Sequence, residues 1–107
     1  MREARILVHG KEAATLTESD DRRNYQLTYA EGYHGPPISL TLRPRTAPYT
    51  FDRFPSFFDG LLPEGSQLDA LLRIAKLDRD DHLGQLLVVG GDLVGAVTVL
   101  PMPEDQP

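Results

Sequence analysis

The spacing between apolar residues changes partway along this 107-residue chain, and that change limits the folds open to it. In the first half, apolar and polar residues alternate, as around Tyr25, Leu27 and Tyr29, which is the period of a half-buried strand. In the second half, apolar residues recur three and four positions apart, as at Phe54 and Phe58, which is the period of an amphipathic helix. Strands followed by helices predict an α+β domain, with a small antiparallel β-sheet and two or three helices.

The first half contains most of the strands predicted for this sheet. Residues 5–8 and 12–17 form a hairpin, because His9-Gly10-Lys11 between them has the composition of a tight turn. Residues 24–29 and 38–42 each alternate apolar and polar side chains, which predicts two further half-buried strands. The connection between those two strands contains two glycines and two adjacent prolines, which is typical of a loop.

A short apolar helix is predicted for residues 54–62. Its apolar side chains fall at helical spacing, and Pro55 suits the first turn, where its missing N–H costs nothing. Pro63 then ends the helix, because proline cannot continue the hydrogen-bond ladder. At this spacing such side chains more often belong to a core than to an interface. The apolar residues are Phe54, Phe57, Phe58, Leu61 and Leu62.

Two more helices are predicted after Pro63. Residues 66–76 form the second helix, because Ser66 and Asp69 have the spacing of a capping box ahead of further apolar residues at helical spacing. Either Asp80 or Asp81 caps a third and shorter helix. That helix carries Leu83, Leu86 and Leu87.

The end of the chain predicts one more strand and a tail. Residues 93–100 form an apolar strand that returns to the sheet. Residues 101–107 interleave prolines with acidic residues, and such a segment is not expected to fold alone. The expected organisation is therefore one domain at 1–100 followed by a tail at 101–107.

The composition limits the location and chemistry of the chain. No apolar run approaches the roughly 20 residues that a bilayer-spanning helix needs, so no membrane segment is expected. Cysteine is absent, which excludes disulfides and thiolate chemistry and agrees with a reducing, cytoplasmic location. The formal net charge of −5 disfavours direct nucleic acid binding and suits a basic protein partner better.

One segment imitates the catalytic loop of a protein kinase. Asp78-Arg79-Asp80, with Gln85 five positions after Asp80, matches the acid that accepts a proton and the amide that binds Mg²⁺ in that loop. The sequence lacks a glycine-rich phosphate loop and a later metal-binding acid. A helix cap in a solvated loop is therefore the preferred interpretation of these residues.

The other polar candidates support no catalytic assignment. The three histidines lack the short-range partners of a metal site, although their assembly in space is left open by the sequence. The serines lack the G-x-S-x-G setting of a hydrolase nucleophile, and a strip of arginines and aromatics suits a loop or a protein contact better than nucleic acid. The chain is therefore expected not to be an enzyme and to use no metal or cofactor. These candidates are His9, His34, His82, Ser39, Ser56, Ser66, Arg43, Arg45, Arg53, Tyr49 and Phe51.

The loop between the first two predicted helices is the candidate contact site. The apolar pattern lapses there, and a projecting loop is able to enter a groove on a partner. The predicted partner-binding residues are Pro63, Glu64, Gly65 and Ser66 at the contact, with Phe58, Leu61 and Leu62 shaping it.

Two separated motifs resemble the N-terminal subdomain of HipA-type toxin kinases. One is Phe-Phe-Asp-Gly-Leu-Leu-Pro-Glu-Gly at 57–65, and the other is Asp-Leu-Val-Gly-Ala-Val at 92–97. They occur in the family's order within a strand-then-helix layout, and the resemblance covers nearly the whole chain. It implies a small sheet with helices that rests on the ATP-binding lobe of a kinase. Such kinases are toxins that phosphorylate a translation factor.

Because the chain ends where the kinase would continue, it resembles HipS, the small subunit of split toxin–antitoxin systems. That resemblance implies an antitoxin without catalysis that neutralises a HipT-like Ser/Thr kinase, in a complex with a HipB-like helix-turn-helix DNA-binding protein. The alternative is a detached lobe that completes or activates a split kinase, and a stand-alone enzyme is a remote third. Standalone members often place a bulky aromatic directly after the Leu-Leu-Pro-Glu-Gly run, whereas this chain has Ser66, which cannot fill a pocket as an indole would.

Overall fold

The computed structural model of the chain describes residues 1–93 and 95–103. Within these residues it contains five strands, three α-helices and one 3₁₀ turn, which confirms the predicted α+β class. The strands are β1 (Arg2–Val8), β2 (Lys11–Glu18), β3 (Tyr25–Tyr29), β4 (Tyr49–Phe51) and β5 (Val97–Pro101). The helices are α1 (Ser56–Asp59), α2 (Gly65–Ala75) and α3 (His82–Val89), and the 3₁₀ turn is Gly90–Asp92.

All five strands form one antiparallel sheet in the order β4-β3-β2-β1-β5. The predicted hairpin is confirmed: β1 and β2 are joined through His9 and Gly10, whose φ angles are 51° and 80°. Positive φ at both central residues gives the turn whose twist matches that of paired strands. β5 follows all three helices in the chain and returns to pair with β1 at one edge of the sheet.

One face of the sheet carries the core. In β3, Tyr25, Leu27 and Tyr29 are buried while Gln26 and Thr28 are exposed, so the predicted alternation is confirmed. The buried cluster joins the inward-facing strand residues to apolar side chains from the helical half of the chain. Those from the helical half are Phe54, Phe58, Leu62, Leu83 and Leu86.

The prediction of a strand at residues 38–42 is wrong. Ile38 and Leu42 are buried and Leu40 is 81% exposed, but the segment forms only an isolated bridge between Ser39 and Leu42. The hydroxyl of Tyr29 replaces a partner strand: it accepts a hydrogen bond from the Ile38 N–H at 3.0 Å and donates one to the Leu42 carbonyl. A side chain from the core thus satisfies backbone groups that a strand would have paired.

The fourth strand lies later in the chain than predicted. It is β4, which pairs with β3 so that Phe51 faces Tyr25 and Tyr49 faces Leu27. The strand has three residues between Pro48 and Asp52, so its alternation is too short to indicate a strand. Residues 49–51 form a strand because their backbone pairs with that of β3.

The predicted helix at 54–62 is confirmed only in its central turn. α1 has four residues, with Pro55 immediately before it as the N-cap. The chain then continues in tight turns, in which Leu61 N–H donates to Phe58 O and Leu62 N–H donates to Asp59 O. These turns bring Leu62 back onto the buried side although the helix has ended, so the helical spacing predicts burial more accurately than it predicts the length of the helix.

The second and third helices are confirmed, with one error in capping. α2 begins at Gly65 with Glu64 as its N-cap and no side-chain cap bond, so Ser66 lies inside the first turn and the predicted capping box is wrong. Asp69 pairs instead with Arg79, at 2.6 Å. Asp81 is the N-cap of α3, because its Oδ1 accepts the Gly84 N–H at 3.0 Å.

The last predicted strand is shorter than expected. β5 begins at Val97, and the chain before it contains the 3₁₀ turn, which packs against β5. Gly90 begins this turn so close to the strand that a Cβ there would lie 2.2 Å from the Val99 carbonyl oxygen. Residues 94 and 104–107, which the predicted strand and tail include, lie outside the described residues. The division of the chain at residue 100 therefore stays a prediction.

No helix within the described ranges combines the length and the apolar character needed to cross a bilayer.

Candidate partner-binding site

The structure places three of the predicted contact residues at the base of the loop. Phe58 is fully buried, with its ring edge-on to Phe57 at a centroid distance of 5.2 Å, and Leu62 is 9% exposed. Leu61 is half-buried against the core. Phe58 and Leu62 therefore hold the start of the loop on the core. A direct contact between these side chains and a partner stays a prediction.

The other four predicted residues lie together in one surface segment. Pro63 is half-buried, and Glu64, Gly65 and Ser66 are exposed. Glu64 is extended, with φ −130° and ψ 165°, and Gly65 has φ +59°, so the chain changes direction sharply where α2 begins. No atom lies within 4 Å of a Cβ at Gly65, so backbone conformation alone favours glycine there.

Helix α2 leads away from this segment with an unusual degree of exposure. It is amphipathic, yet none of its eleven residues is buried. Leu68, Leu71 and Leu72 are half-exposed, and Ile74 is 79% exposed. Among the described residues, the partly buried apolar side chains that pack against the core all come from other segments. The loop and the helix after it therefore form one continuous unit at the surface, in which each residue is either exposed or half-buried.

A network of charges fixes α3, and through it α2, to the sheet. Arg2 Nε donates to Glu18 Oε1 at 2.8 Å, and Arg2 Nη2 donates to Asp81 Oδ1 at 2.7 Å. Glu18 is 2% exposed, and its second oxygen accepts the Tyr25 hydroxyl at 2.8 Å. Arg22 adds a second guanidinium 3.9 Å from each carboxylate. The N-cap of α3 is thus tied to the ends of β1 and β2, and α2 lies against α3.

These contacts change the acidity of the groups involved. Burial opposes ionisation of Asp81, but hydrogen bonds from Arg2 and the Gly84 N–H outweigh it, and the net pKa of Asp81 is lowered. Burial raises the pKa of the Tyr25 hydroxyl, and its hydrogen bond to Glu18 raises the pKa further. The shifts favour a charged Arg2, an ionised Asp81 and a neutral Tyr25 phenol.

Aromatic packing also holds the start of α3 against the sheet. The Phe54 ring stacks on the His82 ring at a centroid distance of 5.4 Å and meets Tyr25 edge-on, also at 5.4 Å. Phe54 therefore joins β3 to the first residue of α3, just before α1 begins. His82, one of the three candidate histidines, packs against an aromatic ring here.

An open groove of about 840 Å³ lies beside the edge strand β4. Thr17, Gln26 and Thr50, which face one another across β2, β3 and β4, line one part of it. Phe51 and Phe57 line another part. The sequence did not predict this groove, because its walls come from segments about 40 positions apart that only the sheet brings together.

The residues that imitate a kinase catalytic loop have structural contacts. Gln85 is 1% exposed, and its amide nitrogen donates to the carbonyl oxygens of Asp78 and Arg79 at 3.2 and 3.0 Å. Asp80 is exposed and lies just before the cap residue Asp81. Of the two predicted caps of α3, the structure selects Asp81, and Asp80 belongs to the loop before it.

The arginine and aromatic strip is also partly engaged within the chain. The Arg45 guanidinium lies over the Tyr49 ring at 3.6 Å and donates to the Ala47 and Pro48 carbonyls. It therefore braces the loop that leads into β4. Within the described ranges, no group of three or more His, Asp or Glu side chains is arranged to hold a metal ion.

The charge network and the exposure of α2 are the features that sequence reasoning missed. A signal for the network is present in β2, where Ala14, Leu16 and Glu18 share the inward face. A carboxylate at an inward position needs a partner. The identity of that partner, Arg2 or another cation, does not follow from alternation.

Comparisons with known proteins agree with this architecture. The sequence profile of the family described as HipA N-terminal domain matches residues 4–100. A protein of Haemophilus influenzae described as uncharacterized is 27% identical over 99 residues, which are 92% of each chain. A solved structure of the N-terminal domain of HipA toxin has a TM-score of 0.75 and 24% identity, over 98% of this chain and 96% of that chain. That likeness shows the fold.

A second relative is much longer. Y4dM of Sinorhizobium fredii, a protein named as a kinase, is 32% identical over 111 residues. The match covers 94% of this chain but only 27% of Y4dM. This chain therefore spans about a quarter of that relative's length.

Proposed function

This chain belongs to the HipA N-terminal domain family, and on that premise we propose that it is an antitoxin that binds and neutralises a HipT-like or HipA-like Ser/Thr kinase toxin. It resembles HipS in this role and carries out no catalysis of its own. The proposed setting is a cytoplasmic toxin–antitoxin complex.

The main support for the proposal is the surface unit formed by Pro63, Glu64 and α2. A short loop with an exposed Glu64, followed by an amphipathic helix with no buried residue, is a surface suited to a protein partner. The match to a quarter of Y4dM supports a kinase as that partner, because in Y4dM a segment like this chain is part of a longer protein named as a kinase.

The proposal places the kinase contact at Pro63, Glu64, Gly65 and Ser66. The core residues Phe58 and Leu62 hold the base of that loop in place, since both are buried. A loop already held in one conformation loses less conformational entropy on binding than a free one. Inhibition then follows from occupation of the kinase surface by this segment.

The proposal extends to a DNA-binding partner without assigning nucleic acid contact to this chain. A net charge of −5 opposes approach to a phosphate backbone. A HipB-like helix-turn-helix protein in the same complex would supply the contact with DNA.

A second candidate function is favoured by the same long relative. If the chain supplies a lobe that a split kinase lacks, it stabilises or activates the kinase instead of inhibiting it. Y4dM supports this alternative because the matched region and the rest of the protein share one polypeptide there. The two functions predict opposite effects on kinase activity.

The experiment is a titration of this chain into the full-length kinase encoded beside it in its own genome. Kinase autophosphorylation is measured with labelled ATP, and growth is measured when the two genes are co-expressed. Falling phosphorylation and restored growth support the antitoxin, whereas rising phosphorylation supports the completing lobe. If an excess of the chain changes neither, or if the genome encodes no such kinase nearby, the proposal is wrong.

A further inference from the structure

We infer that one face of α2, formed by Gln67, Leu71 and Ile74, is the main docking surface for the kinase. We call this the α2 face. The inference rests on the proposed function and deepens it, because it assigns most of the binding energy to this helix face. The predicted contact residues Pro63–Ser66, which form the end of the loop and the start of α2, are left a smaller share.

The three residues form a single stripe along the helix. They lie at positions i, i+4 and i+7, which stack on one side of an α-helix. Gln67 is exposed, Leu71 is half-exposed and Ile74 is 79% exposed. Ile74 lies at the end of the stripe, three positions after Leu71, so the two apolar side chains are neighbours on the helix surface. Adjacent apolar side chains that stay accessible are more typical of a contact surface than a single one.

α2 is too short to be stable as an isolated helix in water. Isolated helices shorter than about 12–15 residues are marginal in water, and most helices in proteins are stabilised by burying an apolar face. α2 has eleven residues and buries none of them. Half-buried side chains such as Leu68 and Leu72, and the contact with α3, supply part of that packing. Covering the α2 face would add to it.

The kinase is favoured over a second copy of this chain as the occupant. α2 begins at Gly65, inside the loop proposed to contact the kinase, so a partner that holds this loop also lies beside the helix. Two copies would each carry a net charge of −5 and repel one another, whereas a basic partner would be attracted. We therefore expect the kinase surface around this contact to be basic.

The test compares two equally exposed apolar residues, one on the α2 face and one far from it in sequence. Ile74→Asp places a charge on the α2 face, and Leu40→Asp is the matched control, because Leu40 is 81% exposed and lies outside the helix. Affinity for the adjacent full-length kinase is measured by calorimetry. Ile74→Asp should weaken binding by about tenfold or more, and Leu40→Asp should change it by less than about twofold.

Hydrogen exchange on the unmutated complex provides a second measurement that does not depend on a variant folding. Amides of residues 65–75 should exchange more slowly in the complex than in the free chain. Equal binding by both variants, or no added protection in α2, would overturn the α2 face while leaving kinase binding intact. Failure of the unmutated chain to bind the kinase would instead remove the proposed function. A dimer of the free chain that Ile74→Asp dissociates would show that the occupant is a second copy.

Discussion

The Arg2 guanidinium donates a 2.7 Å hydrogen bond to Asp81, and so joins the first strand to the N-cap of the last helix across 79 positions of sequence. The same arginine binds the buried Glu18. Because α2 packs against α3, this junction contributes to the position of the proposed binding unit relative to the sheet.

Removal of the arginine should destabilise the domain. Arg2→Ala leaves Glu18, which is 2% exposed, without its closest cation, and we expect a loss of about 2 kcal/mol in the free energy of unfolding. Urea denaturation followed by circular dichroism measures it. The matched control is Arg79→Ala, which breaks a similarly short pair with Asp69 in which both side chains are more than 60% exposed. That change should cost less than about 1 kcal/mol, and equal losses would contradict the role given to Arg2.

Acidification should weaken the same junction. The folded-state pKa of Asp81 lies below its ordinary value of 3.8, so folding favours the ionised form. Its stabilising contribution is present above pH 3.8 and is lost as the pH falls through the folded-state pKa.

The variant Asp81→Asn isolates this effect, because asparagine preserves an N-cap but carries no charge. Free energies of unfolding between about pH 6 and pH 2 should fall less steeply for Asp81→Asn than for the unmutated chain. Asp69→Asn serves as the control at an exposed pair. If Asp81→Asn leaves the slope unchanged while Asp69→Asn reduces it, the assignment to Asp81 is incorrect.

Glycine at position 65 should be required by backbone conformation. With φ at +59°, Gly65→Ala should cost about 1 kcal/mol, because a Cβ disfavours the left-handed region. Gly60→Ala is the matched control, since Gly60 has φ −65° and a Cβ there would meet only ordinary contacts at 3.5 Å and beyond. Thermal denaturation should show a lower Tm for Gly65→Ala alone. Equal Tm values for the two variants would show that the backbone at Gly65 relaxes without cost.

A larger side chain at Ser66 should strengthen inhibition if the proposed function holds. Ser66 is exposed in the first turn of α2, so Ser66→Trp should change stability by less than about 0.5 kcal/mol. An indole there offers a large, rigid contact area, and we expect the concentration for half-maximal kinase inhibition to fall by about tenfold. Ser56→Trp, at an exposed serine in the first turn of α1, is the control and should leave inhibition unchanged. A loss of inhibition in Ser66→Trp would mean that the loop has no room for an aromatic anchor.

Elements with a long repeating pattern of apolar residues could be predicted from the sequence, and elements with a short pattern could not. Long patterns in β2 and α2 were sufficient to indicate the element, since alternation or helical spacing over seven or more residues distinguishes a strand from a helix. The prediction for β1 began three residues late, at Arg5 and not at Arg2. The three-residue strand β4 was missed, and the alternating segment at 38–42 was assigned wrongly. In that segment Ile38 and Leu42 are buried as a strand would require, but the Tyr29 hydroxyl occupies their backbone groups.

The candidate site, like the fold, was predicted only in part from the sequence. The sequence indicated that residues 63–66 form a connecting segment, but only Pro63 and Glu64 lie between the helices, because α2 already begins at Gly65. Glu64, Gly65 and Ser66 are exposed. The sequence did not indicate that α2 would bury no residue. Amphipathic spacing predicts that one side of a helix needs a partner, but it does not say whether that partner belongs to the same chain.

The sequence alone therefore determined the class of fold and the inward face of a strand such as β3, because both depend on residues close together along the chain. It also indicated the family, through the order of two motifs at 57–65 and 92–97. Only the tertiary structure decided that Arg2 pairs with Asp81, that Tyr29 satisfies the backbone at 38–42 and that α2 stays uncovered by the described core. These outcomes depend on which distant segments meet in space. Local spacing carries no information about such meetings, because the same period is compatible with many arrangements of neighbours.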